Sequence, residues 1–160
     1  MRTSRFTMRR HALALLVVVG LLLIPASSAF AGGAVTETQK FKNFTESFPT
    51  PNPCTGAPGI VTITYNGVIH TTQNDNGFHI TGTFTGDFVF VPDDSSQPTY
   101  TGHFTQWFGF NANQRNFAGT FTFSVHGKGS DGSRLDFHIT GHDSMSASGH
   151  VISFEKPRCG

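Results

Sequence analysis

The sequence predicts an all-β protein: an antiparallel meander of hairpins closing into a small barrel of about seven or eight strands, with an open two-sheet β-sandwich as the alternative. Three observations lead there. In GFHITGTFTGDFVF (77–90) Phe78, Ile80, Gly82, Phe84, Gly86, Phe88 and Phe90 take every second position, and His79, Thr81, Thr83, Thr85 and Asp87 alternate with them. That is the two-residue period of a strand with one dry face. Clusters of turn-forming residues recur along the chain (QNDNG at 73–77, PDDSSQPT at 92–99, NANQRN at 111–116, GSDGS at 129–133, SASG at 146–149), and such clusters bound strands. After the first thirty-one residues, no segment shows a helical period.

Those thirty-one residues read as an export signal. Arg2, Arg5, Arg9 and Arg10 form a basic end, LALLVVVGLLLI (13–24) an apolar core, and Ala29-Phe30-Ala31 a small-x-small cleavage site. The apolar run is shorter than the roughly 20 residues a membrane span needs. Arg9-Arg10 leaves the twin-arginine route open, but Met8 and Ala12 fit it poorly, so the general secretory route is expected. Next comes an extended segment, 32–59, in which Val35 to Phe48 can form a strand and PTPNPCTGAPG must turn or extend. The domain proper is expected over 60–160, with strands at 60–72, 78–91, 100–110, 117–128, 134–145 and 150–157.

Short loops imply registers. Pairing Phe90 with Tyr100 sets Phe88 opposite Gly102 and Gly86 opposite Phe104. Lys128 across from Arg134 sets Phe121 opposite Gly141. Phe110 across from Phe117 sets Phe108 opposite Gly119, and Met145 across from His150 sets Phe154 opposite Gly141. In each case a ring covers a glycine, as strongly curved sheets require, and a small barrel needs large and small interior positions side by side. The inward set is Val61, Ile63, Tyr65, Ile69, Phe78, Ile80, Phe84, Phe88, Phe90, Phe104, Phe108, Phe110, Phe117, Phe121, Phe123, Val125, Leu135, Phe137, Ile139, Ile152 and Phe154.

Charge narrows the partners. The chain holds eleven Lys and Arg against ten Asp and Glu. Loss of the four leader arginines leaves seven basic against ten acidic residues, a net charge of −3, with no basic stripe for nucleic acid. Cys54 and Cys159 are the two cysteines. In an exported chain they are expected to form a disulfide tying the start of the domain to its end, and they lack the CxxC spacing of a metal site.

The segments NPCTGAPGIVTITYNG (52–67), YTGHFTQWFGFNANQRNFAGTFTF (100–123), GKGSDGS (127–133) and FEKPRC (154–159) resemble a group of small secreted, uncharacterised bacterial proteins with an NPCTG segment and a C-terminal Cys. The resemblance covers nearly all of the mature chain. It implies secretion and the cysteine pair, and brings no catalytic residues. The expected architecture is also loosely similar to lipocalin-like and allene-oxide-cyclase-like barrels, whose diagnostic motifs are missing.

Candidate sites fall on both faces. Outside, His70, His79, His103, His126, His138 and His142 share the Thr-rich side. The implied registers set His70 opposite His79 and align Asp87, His103 and Ser124 across three strands, with His126, Asp136 and His138 beside them. A Ser-His-Asp reading of that row lacks a nucleophile elbow and an oxyanion hole, and an outer wall lacks the cavity of a catalytic metal. No metal or cofactor is expected. Inside, Tyr65, Tyr100, Gln106 and Asp143 interrupt the apolar set and are candidates for orienting a small apolar ligand. Trp107, with Val89 and Val91, either seeds an outer apolar patch or is covered by residues 35–48. Three function classes follow: a non-catalytic binding or interaction protein, with a cell-envelope component as partner; a carrier of a small apolar ligand; or an isomerase or cyclase. Many inward rings favour the first.

Overall fold

The structure is a computed structural model describing residues 33–160; the expected signal peptide lies outside the described residues. Seven antiparallel strands form one sheet in chain order: β1 (Val35–Pro49), β2 (Gly59–Asn74), β3 (Gly77–Pro92), β4 (Tyr100–Asn113), β5 (Phe117–Gly129), β6 (Arg134–Met145) and β7 (Val151–Cys159). β1 pairs with β2 from Val35 to Pro49. The strand expected at Val35 to Phe48 thus forms and belongs to the same sheet as the rest. No helix among the described residues is long and apolar enough to cross a membrane.

The alternating pattern becomes a two-faced sheet. The inner face carries the core (Tyr65, Phe88, Phe90, Tyr100, Phe104, Val125, Leu135 and Phe137), with Phe41, Val61, Ile63, Phe84, Phe123 and Ile139 packed against it. Each buried ring contributes roughly 1.5 to 3 kcal/mol. At four successive ladders a phenylalanine stands directly opposite a glycine: Phe84 with Gly67, Phe108 with Gly82, Phe110 with Gly119, and Phe121 with Gly141. In all four pairs the ring lies where the glycine's side chain would be. Bulk on one strand thus fills the space that bare backbone leaves on the next.

The sheet curls about this face. Strand spacing would hold β2 and β6 about 19 Å apart if the sheet were flat, yet Cys54 Sγ, in the loop before β2, lies 3.7 Å from the Asp136 carbonyl oxygen on β6. That loop is folded back on itself: the Asn52 N–H donates to the Ala57 carbonyl (2.8 Å), and the Gly56 N–H to the Asn52 carbonyl (2.8 Å). The Asn52 side chain, 2 % exposed, accepts from the backbone N–H groups of Cys54 and Thr55. The Cys54–Cys159 disulfide forms as expected, with Cα atoms 5.8 Å apart.

Closure into a barrel by a β1–β7 ladder is not seen, and the sheet ends at two open edges. This agrees with the open alternative, although the strands make one sheet and not two. Both edges carry features that oppose pairing. Pro157 takes a backbone donor out of β7, where Lys156 and Arg158 add charge. β1 has a bulge between Phe41 and Phe44 that contains Lys42 and follows Lys40. At that bulge Asn43 adopts a φ of 49°, a left-handed conformation that asparagine tolerates, and its N–H donates to Asn66 Oδ1 (3.0 Å). The extra residue turns Phe41 and Phe44 to the same face, with ring centroids 6.2 Å apart.

Three registers differ from expectation. Tyr100 pairs with Gly129, so Phe110 faces Gly119, not Phe117, and Phe108 faces Phe121. His70 pairs with Thr81 and His79 with Thr72, because Asn74 pairs with Gly77 across a two-residue turn. Both are two-residue slips that leave every side chain on its expected face. β7 is different. The loop after β6 has five residues, closed by the Ser146 N–H donating to the His150 carbonyl (2.9 Å), with Gly149 at a φ of 80°. Met145 consequently pairs with Val151. A shift of one residue inverts the strand, and Ile152 and Phe154, expected inside, lie outside at 50 % and 41 % exposed. Phe154 stacks on His142 (5.7 Å) with Lys156 over its ring.

Tyr65 makes a measurable reporter of the inner face. Burial pushes its phenol up to about 12 from 10.0, and the negative charge and hydrogen bond of Glu46 add to the shift. A folded-state value above the unfolded one stabilises the fold fully below pH 10.0 and loses that contribution as pH rises toward about 12. In Tyr100→Phe, where Tyr65 is the remaining tyrosine, tyrosinate absorbance should rise with a midpoint near 12. A midpoint at the ordinary value would show the ring to be solvated.

Candidate functional site

All six candidate histidines stand on the outer face, whose side chains are mostly hydroxyls. The threonines pair across strands: Thr45 with Thr64 (2.8 Å), Ser47 with Thr62 (2.7 Å) and Thr36 with Thr72 (3.1 Å). Near one end of this face a single row crosses four strands, with Asp87 on β3 opposite His103 on β4, His103 opposite His126 on β5, and His126 opposite Asp136 on β6. Beneath it Gly102 faces Gly127, leaving β4 and β5 without inner side chains there, and the Phe88 ring fills the gap against Gly127. The row borders an open depression that Lys128 and Arg134 also line.

Each imidazole is tied to its own carboxylate. His103 Nδ1 lies 3.2 Å from Asp87 Oδ1, and His126 Nδ1 lies 2.9 Å from Asp136 Oδ1. With Asp87 85 % exposed, water screens the first pair, and such pairs stabilise a fold by less than about 1 kcal/mol. On its other side His103 Nε2 meets Thr85 Oγ1 at 2.9 Å, and that hydroxyl also reaches the Phe104 carbonyl at 3.4 Å. Thr85 can therefore donate to a neutral imidazole, or accept from a protonated one while donating to the carbonyl. Both charge states of His103 find partners without a change of geometry.

The structure brings Asp87, His103, His126 and Asp136 together and sets His138 one row away. His138 Nδ1 is 2.8 Å from Ser124 Oγ and its Nε2 3.2 Å from Thr140 Oγ1. The expected alignment of Ser124 with Asp87 and His103 is not formed, because the two-residue slip between β4 and β5 puts Ser124 opposite Thr105 and His126 opposite His103. His70 and His79 do not face each other; His70 Nδ1 meets Thr38 Oγ1 (2.9 Å) and His79 Nδ1 meets Asn111 Oδ1 (2.5 Å). Among the described residues no group of three or more His, Cys, Asp or Glu is placed to hold a metal ion.

The inner candidates do not converge. Tyr65 sits in the core with its ring centroid 6.4 Å from that of Phe104. Tyr100, at the start of β4, accepts a hydrogen bond from Ser133 Oγ (3.1 Å). Gln106 stands between Phe84 and Phe123, and Asp143 lies opposite Gly119. Asp143 accepts from Ser153 Oγ at 2.5 Å. Gly119 faces Phe110, ten residues along β4 from Tyr100, which places Asp143 and Tyr100 roughly 33 Å apart along the strands.

No protein-family model, curated protein or solved structure matches the chain.

Trp107 is likewise not part of one patch with Val89 and Val91. Val89 pairs with Thr101, six residues along β4, about 20 Å away. Residues 35–48 pair along β2 as an edge strand and do not cover the indole, which is 43 % exposed.

Proposed function

We propose that this chain is a secreted, non-catalytic binding protein that holds a component of the cell envelope on its outer face. The carrying observation is the Asp87–His103–His126–Asp136 row: four exposed, hydrogen-bonding side chains aligned across rigid strands beside two cationic ones, with no nucleophile in line. The leader-like start of the sequence and the disulfide support export, and the resemblance to small secreted bacterial proteins belongs to the same reading. The strong curl supports a barrel-like body whose β1–β7 seam is latched at one end by Cys54–Cys159.

Purified mature protein is expected to be retained on bacterial envelope preparations. The combined His103→Ala and His126→Ala change should weaken retention about tenfold, the loss of roughly 1.4 kcal/mol, with the melting temperature unchanged. No retention, or retention indifferent to the pair, would overturn the proposal. A second reading, a carrier of a small apolar ligand, rests on the inner-face side chains left in contact with solvent, among them Phe78 and Met145. Native mass spectrometry of protein from its own culture medium distinguishes it by retained extra mass. Nothing in the spread of inner polar groups supports an isomerase or cyclase.

A further inference from the structure

Trp107 is the chain's single tryptophan, and it lies on the outer face of β4, at the middle strand of the sheet. Its six-membered ring extends along its own strand over Gly109, with Cη2 and Cζ2 each 3.3 Å from where a glycine Cβ would stand and the Thr81 methyl next to them. Elsewhere inside the strands the glycines lie on the inner face, mostly beneath aromatic rings. Here the same pairing of ring and bare backbone is set on the wet side, where no core needs it.

Hydroxyls frame the ring. Thr83 and Thr122 flank Trp107 in register, Thr81 and Thr120 flank Gly109, and Thr105 precedes the indole on its own face. Within these rows β3, β4 and β5 carry no ionisable side chain; His70 and His142 follow on β2 and β6, with His142 Nδ1 2.9 Å from Thr120 Oγ1, and Lys40 and Lys156 stand at the far edges, on β1 and β7. Each threonine hydroxyl both donates and accepts.

This chemistry selects among partners. An anionic polymer would find no cations beside the ring. A second copy or another protein would need about 800 Å² of well-packed surface on each side, and the other outer apolar side chains are dispersed: Val68 stands two strands away, Phe154 three strands away on His142, and Val89, Val91 and Ile60 toward the far end of the sheet. A sugar ring matches both features: its axial C–H groups make an apolar face about the size of an indole, and its equatorial hydroxyls project sideways toward donors and acceptors. We propose that Trp107, seated on Gly109 and bordered by Thr81, Thr83, Thr105, Thr120 and Thr122, is a stacking platform for a pyranose unit of a neutral polysaccharide. The proposal rests on the reading of the outer face as the binding face and names the chemistry of its target.

Because one tryptophan supplies all the indole emission, fluorescence reports directly on the site. Mature protein titrated with dextran, mannan, galactan and chitin oligosaccharides should show a saturable blue shift with at least one of them. The same glycan cast in a native gel should retard the protein. Trp107→Ala should weaken retardation about tenfold and Trp107→Phe only about threefold, since a smaller ring keeps part of the stacking. Gly109→Val, which unseats the ring while keeping it, should weaken binding as well. Unchanged emission with all four glycans, retardation indifferent to Trp107→Ala, or a shift produced by concentrating the protein alone would overturn the platform. If Trp107→Ala leaves retention on envelope material intact while the histidine pair weakens it, the platform fails and the binding function stands. If wild-type protein is not retained at all, the binding function fails with it.

Discussion

Replacing Cys54 and Cys159 together by alanine is expected to cost about 4 kcal/mol of stability and to lower the melting temperature by about 15 °C. The two residues are 105 positions apart in sequence, so the bond removes the closure entropy of a very long loop from the unfolded chain. It also anchors the loop that bears buried Asn52 against the β6–β7 end, where Gly160 N–H donates to the Asp136 carbonyl (3.0 Å). Since the edge strands share no ladder, this latch is the covalent link between the two halves of the curl. Thermal and urea denaturation with and without reductant measure the effect. A shift of only a degree or two would show that the curl holds without it. Typical domain stabilities are about 5 to 15 kcal/mol, so the double variant is expected to stay folded but be easily unfolded at moderate temperature.

The second large effect is expected at Gly86. A methyl group there would meet the Thr64 carbonyl oxygen and would stand 2.6 Å from Tyr65 Cα, both backbone atoms of the neighbouring strand. Backbone held in a ladder cannot step aside, so Gly86→Ala is expected to cost about 3 kcal/mol, at the upper end of overpacking penalties. Gly82→Ala makes a control in the same strand. The atoms nearest its methyl would be the outer atoms of the Phe108 ring, which can swing toward the more open end of the inner face, and about 1 kcal/mol is expected. Equal losses for the two, read from denaturation midpoints, would mean that ring seating and not strand approach limits these positions.

Much of the candidate site was legible, and the reason is local. Which face a side chain takes depends only on the two-residue period, and every candidate histidine stands on the face that its position in the alternation assigns. Which residue it meets across the ladder depends on turn geometry. The slip between β4 and β5 exchanged Ser124 for His126 as the neighbour of His103, and so turned a would-be catalytic row into a doubly paired Asp-His-His-Asp row. A signal for the correct register existed: Asn113 and Asn116 can close a two-residue turn, as the Asn113 N–H to Asn116 carbonyl bond shows (2.9 Å). The bulge at Asn43 also left a trace, in the change of parity between Phe41 and Phe44.

The amino-acid sequence by itself determined the strand content, the dry and wet faces of β2 to β6 and the cysteine pairing, because each follows from side-chain alternation or from having just two thiols; which ring covers which glycine followed the register, so that Phe121 covers Gly141 as expected but Phe108 covers Gly82 and Phe88 covers Gly127. The tertiary structure alone decided the face of β7, the membership of the His–Asp row and the open edges. A loop one residue longer inverts a strand, and pairing between distant edges depends on long-range geometry that no local period encodes.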